Sequence, residues 1–331
     1  MAYSPIEEHG VIGNTRTIAL SCTDGTIDWL CYPHFDSPSV FAAILDDEKG
    51  GYFRISPVRP DFDYKQMYWP DTNILVSRFL SSDGVSEVVD FMPISANESC
   101  PRHPVVRMAK AVRGSVRLRM ECIPAFNFAR DDHTVRIDGR RALFESKDLN
   151  LELLANRDLE VRDNGCFIEF TLHQEESAVF LLQEASDAGS ASEFTRDQAQ
   201  QMLDETTRYW QRWLAQCTYA GRWRETVNRS ALMLKLLTFK PTGAIIAAPT
   251  CSLPEALGGE RNWDYRYAWI RDAAFTLYAL MRIGFADEAA AFMAWVEQRC
   301  GELNPDGSLQ IMYGIDGRHD LTEHILDHLK G

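Results

Sequence analysis

The sequence predicts a β + α chain, an N-terminal antiparallel β-sandwich followed by helices. Three observations carry that prediction. Short alternations of apolar and polar residues, separated by Asp-Gly and Asn-Gly turns, fill the first half, which is the pattern of strands with one buried face. Beyond about residue 190 the apolar spacing changes to three and four, the period of an amphipathic helix. A length of 331 residues favours two domains over one.

Taken in order, Asp24-Gly25 sits between TIAL and TIDWL and predicts a hairpin. Val116, Leu118, Met120 and Cys122 alternate with Arg117, Arg119 and Glu121, a strand with one face inward. Asp138-Gly139 and Asn164-Gly165 are further hairpin turns. After the second, Cys166, Ile168, Phe170 and Leu172 alternate with Phe167, Glu169, Thr171 and His173. No fixed-period repeat and no low-complexity segment interrupts the pattern. The composition shifts to DAGSAS around residues 185–192, which places the domain boundary there. A linker helix follows, with Ala199, Met202, Thr206, Tyr209 and Trp213 as its stripe. Residues 224–239 form the next helix, ended by Lys240-Pro241, and a long Pro/Gly loop comes after it. The helix over 273–283, AAFTLYALMRI, is apolar almost all round and is expected to be buried on most sides, with Gly284 closing it. Ala289, Phe292, Met293 and Val296 mark one face of a further helix. Residues 304–307 form a turn, 309–313 are extended, and a last short helix starts at Leu321.

A net charge of −14 argues against nucleic acid or an acidic membrane surface as partner. No stretch reaches the roughly 20 apolar residues that span a bilayer. The N-terminus, MAYSPIEEHGVIG, lacks the basic and apolar regions of a secretory signal. Eight cysteines are scattered without CxxC spacing, which suits reduced, buried thiols in a cytoplasmic protein rather than zinc or a redox pair.

The stretch at 243–274, GAIIAAPTCSLPEALGGERNWDYRYAWIRDAA, has an unusual content. Two Trp, two Tyr, two Arg and two Asp fall within the eleven residues 262–272. Aromatic faces stack on the apolar faces of sugar rings, and an Arg–Asp pair offers donors and acceptors for vicinal hydroxyls. The same residue types also serve packing and ion pairs, so composition alone leaves both readings open. Arg271 and Asp272 fall at the first turn of a helix, where the dipole favours Asp.

GAIIAAPT, a loop, then YRYAWIRDAAFTLYAL resembles the start of the catalytic domain in the inverting glycoside hydrolases of family 15, which include glucoamylases and bacterial trehalases. IGNTRTIALSCTDGTIDWLCYPHFDSPSVFAAILD, YWPDTNILVSRF and LQIMYGIDGRHDLTEHILDHLKG are similar to the bacterial, trehalase-like branch. The resemblance implies a trehalase-like β-sandwich domain at 1–190, a helical linker at 191–220, and at 221–331 the first part of an (α/α)6 barrel. About three helices follow the linker, so the chain is expected to stop roughly a quarter of the way into that barrel. In that case the helix over 273–283 has too few neighbours and leaves apolar surface exposed.

By the same resemblance Tyr265, Trp269, Arg271 and Asp272 line the subsite for the non-reducing-end glucose of an α-glucoside. Arg271 and Asp272 bond the far hydroxyls, Tyr265 sits near the reacting carbon, and Trp269 walls the pocket. The structural alternatives are a core Trp269 and an Asp272 that serves only the helix N-terminus. Asp264 and Glu260 read most simply as solvated loop carboxylates. Residues 28–38, DWLCYPHFDSP, are either a structural corner of the sandwich or a loop reaching over the barrel mouth.

Inversion needs two carboxyl groups roughly 6.5–9.5 Å apart with a water between them. In the resembled family both are Glu on later loops, and neither motif has a counterpart here. Trp295-Val296-Glu297 is the nearest look-alike but lies within a predicted helix. No residue is therefore assigned as catalytic, and the chain is expected to be inactive alone. No cofactor is implied. His324 and His328, with His319 and Asp320, read as a solvated helix face rather than a metal site. No GxSxG elbow, P-loop or dinucleotide fingerprint occurs. The alternative of a different class is a catalytically silent chain that binds sugar or a complementary chain; a third possibility, a phosphorylase using phosphate in place of water, has neither its carboxylic acid nor a convincing phosphate site in the sequence.

Overall fold

The computed structural model describes residues 3–94, 102–186, 193–256, 259–303 and 306–330. Its first half consists of β1 (His9–Gly13), β2 (Ile18–Cys22), β3 (Thr26–Cys31), β4 (Ser39–Ala42), β5 (Tyr52–Pro57), β6 (Asp63–Tyr68), β7 (Leu75–Leu80), β8 (Gly84–Phe91), β9 (Val105–Ile123), α1 (Phe126–Ala129), β10 (His133–Asp138), β11 (Arg141–Ser146), β12 (Asn150–Ala155), β13 (Glu160–Arg162), β14 (Gly165–His173) and β15 (Ser177–Glu184). The three expected turns at Gly25, Gly139 and Gly165 join β2–β3, β10–β11 and β13–β14. α1 is a single turn with Asn127 and Phe128 in the left-handed region.

β9 organises the sandwich. Its 19 residues serve two sheets. The first part pairs with β8 and β15, and the second part pairs with β5 and β14, all antiparallel. Gly114 lies at the crossover with φ +69, and a Cβ there would sit 2.2 Å from the Asp83 carbonyl oxygen. A strand that changes sheets at a bend makes the corner of a sandwich. Between the layers lies an apolar core that includes Phe41, Phe53, Phe79, Phe144 and Phe180. One ion pair crosses it. Arg107 and Asp90 are both fully buried and 2.8 Å apart, and Arg107 also donates to the carbonyls of Phe53 and Gly25. A buried pair of this kind is tolerable because every guanidinium edge finds an acceptor.

Most of the expected boundary, residues 187–192, lies outside the described residues. Thr195 and Gln198 form a capping box that starts α2 (Arg196–Leu214). α2 lays Ala199 and Leu203 on the outer face of the β7–β8–β9–β15 layer, against Val89, Phe91, Val179 and Leu181. Its buried face also takes Leu203 and Trp210, whereas Met202 and Tyr209 of the expected stripe are half-buried.

Three helices follow: α3 (Arg224–Leu236), α4 (Ile270–Arg282) and α5 (Asp287–Cys300). They share a second core with Trp210, Trp213, Phe285, Phe292 and Trp295. α3 ends three residues short of its expected limit, because Thr238 bridges to Ile245 and Phe239 N–H bonds the Ala244 carbonyl. α3 is clamped to the β6–β7 turn. Asn73 Nδ2 donates to the Leu232 carbonyl at 3.1 Å, Arg229 donates to the Thr72 carbonyl at 2.7 Å, and the Arg229 guanidinium lies 3.9 Å from the centre of the Tyr68 ring.

Three expectations need correction. α4 is not buried on most sides but leaves apolar surface exposed, as expected for a helix with too few neighbours: Phe275, Tyr278 and Met281 are 72, 65 and 60% exposed, because only one stripe (Ala273, Leu277, Leu280) meets α3 and α5. Met293 of α5 is likewise exposed, and Glu288, Trp295 and Arg299 join Ala289 and Phe292 inside instead. No helix starts at Leu321. Leu326 and Leu329 pack on the β3–β4 side of the sandwich, and Lys330 N–H donates to Asp46 Oδ2 at 3.1 Å. Among the described residues no helix is long and apolar enough to cross a membrane.

Candidate functional site

The segment from 262 to 272 reaches α4 through a set of main-chain bonds. Ala248 N–H donates to the Tyr265 carbonyl at 2.8 Å and Ala247 N–H to the Tyr267 carbonyl at 3.1 Å. Ala268 and Trp269 form β16, paired with Met312 and Tyr313 of β17. Ile270 N–H then donates to the Ile311 carbonyl, and α4 begins with Trp269 in the N-cap position. Asp272 therefore stands in the first turn, where four amide N–H groups and the helix dipole favour a carboxylate.

The four candidate residues lie at or just before this helix start, in two contacting pairs. The Tyr265 and Trp269 rings are 5.9 Å apart and tilted by 40°. Trp269 Nε1 donates to the Asp264 carbonyl at 3.0 Å, which fixes the indole. Arg271 Nη2 is 3.4 Å from Asp272 Oδ2, and the Arg271 side chain is 76% exposed. Tyr265, Trp269 and Asp272 are half-buried. Trp269 is therefore not a core residue. The arrangement is an open surface that offers aromatic faces, a guanidinium and a carboxylate, the groups that hold a polyol. A shallow hollow of about 510 Å³, lined by Pro60, Asp61, Phe62, Asp63, Leu80, Ser81 and Ser82, shares no residue with it.

Sequence reasoning missed the residue behind this surface. Arg266 is 5% exposed. Its Nε and Nη2 reach the two oxygens of Asp264 at 3.0 and 2.6 Å, and its Nη1 donates to the Ser37 carbonyl at 2.7 Å and to Cys31 Sγ at 3.3 Å. The guanidinium also stands 5.4 Å from the centre of the Phe128 ring. Burial pushes the Cys31 thiol up to about 11 and the Cys251 thiol up to about 12, so both are neutral at pH 7. Asp264 is then the counter-charge of Arg266. It is no solvated loop carboxylate, whereas Glu260 is exposed as expected. A second arginine repeats the contact: Arg318 lies 2.6 Å from Asp36 Oδ2 and 5.4 Å from the Tyr267 ring centre. The loop at 32–38 is thus gripped by two arginines from the helical part. Trp29, fully buried, adds a bond from its Nε1 to the Pro249 carbonyl at 2.7 Å. The one sequence signal for this was an Arg set between two Tyr, in YRY.

Two carboxylates of α5 lie apart from these four residues. Glu288 is held by Lys235 at 2.8 Å and Trp213 Nε1 at 2.7 Å. Burial alone would raise its pKa, but these partners keep it below the usual range. Glu297 is on the exposed side of α5. The described histidines hold no metal constellation, and His328 instead lies 2.7 Å from the Phe128 carbonyl. The described cysteines are all free.

Residues 2–147 match the family described as trehalase-like, N-terminal, and residues 221–331 match glycosyl hydrolases family 15. A trehalase of Thermoplasma volcanium is 35% identical over 98% of this chain and 52% of its own length. A trehalase of Mycobacterium tuberculosis is 34% identical over 99% of this chain and 52% of its own length. The chain spans about half the length of the curated relatives it matches. A solved structure titled as a putative kojibiose phosphorylase from human microbiome aligns with a TM-score of 0.51 at 9% identity, over 93% of this chain and 49% of its own. At that identity the likeness speaks for the fold alone. The chain is thus similar to the trehalase-like N-terminal family over residues 2–147 and to glycosyl hydrolases family 15 over residues 221–331, and the trehalases align through both stretches.

Proposed function

We propose that this chain carries the glucose-holding part of a site that hydrolyses α-glucosidic bonds with inversion, with trehalose as the favoured substrate and short α-glucans next. In this reading residues 1–190 are the β domain, 191–220 the linker and 221–331 the first part of an (α/α)6 barrel. Trp269 packs on one face of the non-reducing-end glucose. Arg271 and Asp272 bond its far hydroxyls, and Tyr265 faces the reacting carbon, where its ring favours developing positive charge. The observation that supports the reading is the pair of rings, Tyr265 and Trp269, at the start of α4, with the indole fixed by the Asp264 carbonyl and with Arg271 and Asp272 in the first turn that follows. Trehalose is preferred because the curated relatives that align along the whole chain are trehalases.

The second reading is that these 331 residues bind sugar without turning it over. It is supported by the engagement of Asp264 with Arg266, which leaves that carboxylate no free acid or base beside Tyr265 and Trp269. Titration with trehalose, maltose and galactose, followed by tryptophan fluorescence, tests both. Saturable binding of the glucosides with Kd in the millimolar range, about −4 kcal/mol, is expected, with none for galactose. Asp272→Ala abolishes it, and no glucose is released. Turnover above a buffer control would remove the second reading. Absence of binding, or binding indifferent to Asp272, would remove the first.

A further inference from the structure

Two stretches singled out in the sequence, 28–38 in the β-sandwich and 262–272 before α4, are 229 residues apart where Arg266 Nη1 meets the Ser37 carbonyl. Arg266 uses its whole fork across this gap. One edge holds the Asp264 carboxylate, and the remaining nitrogen holds the sandwich loop. Asp264 in turn supplies the carbonyl that fixes the Trp269 indole. It also bridges to Cys251 and accepts the Arg266 N–H at its Oδ1, 3.0 Å away. Tyr265 lies between the two residues of the pair, so its backbone is held from both sides. Its N–H and carbonyl are also bonded, to Thr250 and Ala248.

A guanidinium suits this task and an ammonium does not, because the fork needs donors in two fixed directions. Its cost of burial is met by a full-charge partner, a carbonyl and an aromatic face, and loss of any of these leaves a buried charge underbonded.

We propose that Arg266 is a positioning residue that makes the β-sandwich the back support of the sugar-holding surface, by fixing Tyr265 and Trp269 through Asp264. Arg266 touches no sugar in this arrangement. The proposal rests on the reading of Tyr265 and Trp269 as sugar-holding residues, but the support itself is measurable without a ligand.

The experiment uses the full chain with 15N-labelled indoles, the Trp269 signal being assigned by Trp269→Phe. Exchange of the Trp269 indole N–H with water and the Kd for trehalose are read in wild type, Arg266→Met, Arg266→Lys, Asp264→Asn and the Arg266→Met/Asp264→Asn double variant. The Trp213 indole, bonded to Glu288, is the internal control. In Arg266→Met the Trp269 indole is expected to exchange at least tenfold faster and the Kd to rise at least tenfold, while the Trp213 indole is unchanged. Arg266→Lys gives an intermediate effect, and the double variant is no worse than Arg266→Met, because both residues act along one line.

An unchanged Trp269 indole in folded Arg266→Met, or additive effects in the double variant, would overturn the proposal. If Arg266→Met does not fold, Arg266→Lys and Asp264→Asn decide by the same two readouts, and an unmoved indole in both overturns it. If wild type binds no sugar but the indole responds as stated, the support stands and the sugar reading fails.

Discussion

His9 and Asp28 form a buried pair whose pH response can be worked out from its geometry. The side chains are 3% and 9% exposed, with His9 Nε2 at 2.8 Å from Asp28 Oδ2. His9 Nδ1 faces two more oxygens, the Pro5 carbonyl at 2.9 Å and the Ile6 carbonyl at 3.2 Å. Both ring nitrogens point at acceptors, so the imidazolium satisfies the site and the neutral ring cannot. Burial opposes the charge, but Asp28 and the two carbonyls outweigh it and raise the His9 pKa. Burial also pushes the Asp28 carboxyl above its usual range, against the pull of His9. Both raised values make the folded state the tighter proton binder. The stability they contribute is present in full below the unfolded values, about 3.9 for Asp and 6.5 for His. It is lost as pH rises through the folded ones, at no more than about 1.4 kcal/mol per pH unit for each proton.

Urea unfolding at pH 5.5, 6.5, 7.5 and 8.5 should show wild type losing on the order of 1 kcal/mol across the upper two steps. Asp28→Asn should flatten that slope. His9→Ala should cost about 3–5 kcal/mol, because it leaves a buried carboxylate whose Oδ1 already lacks a hydrogen-bond partner. A wild-type curve that is flat, or one that rises with pH, would refute the argument. So would an equal slope in Asp28→Asn.

Four further outcomes are expected. Trp29→Phe should cost about 1–3 kcal/mol in the same unfolding assay, since it orphans the Pro249 carbonyl at the junction of sandwich and loop. Glu288→Ala should cost about 1–3 kcal/mol by leaving the half-buried Lys235 and the Trp213 indole N–H without their partner. The lowered pKa of Glu288 means that its contribution is present above about pH 4.3 and fades as pH falls through the folded value, which an acid titration of wild type against Glu288→Gln would detect. Replacing Phe275, Tyr278 and Met281 together by Ser should raise the protein concentration at which light scattering appears, because it removes a contiguous apolar face of α4.

Much of the sandwich is legible because its strands advertise one buried face. Val116, Leu118, Met120 and Cys122 of β9 are buried while Arg117 faces out, and the pattern alone gives the strand. The first part of the same strand is buried on both faces, since α2 covers the outer side, so residues 105–111 show no alternation and their role in a second sheet goes unread. The helices are legible from period, but their surroundings are not. An all-round apolar α4 states a need for neighbours without stating whether they are present. The terminal residues after Leu321 carry helix-forming composition, yet Leu326 and Leu329 gain more by packing on the sandwich. At the candidate site the four side chains on 265–272 are local and readable. Arg266 is not, because its partners are Cys31 and Ser37, and no local rule connects an Arg to a carbonyl more than two hundred residues earlier.

The most direct measurement is a crystal structure of the 331-residue chain soaked in trehalose. A glucose ring is expected on the face of Trp269, with its hydroxyls within about 3 Å of Arg271 and Asp272 and its anomeric carbon toward Tyr265. Sugar density at the hollow around Pro60–Ser82, or bare side chains at the start of α4 under saturating ligand, would contradict the assignment.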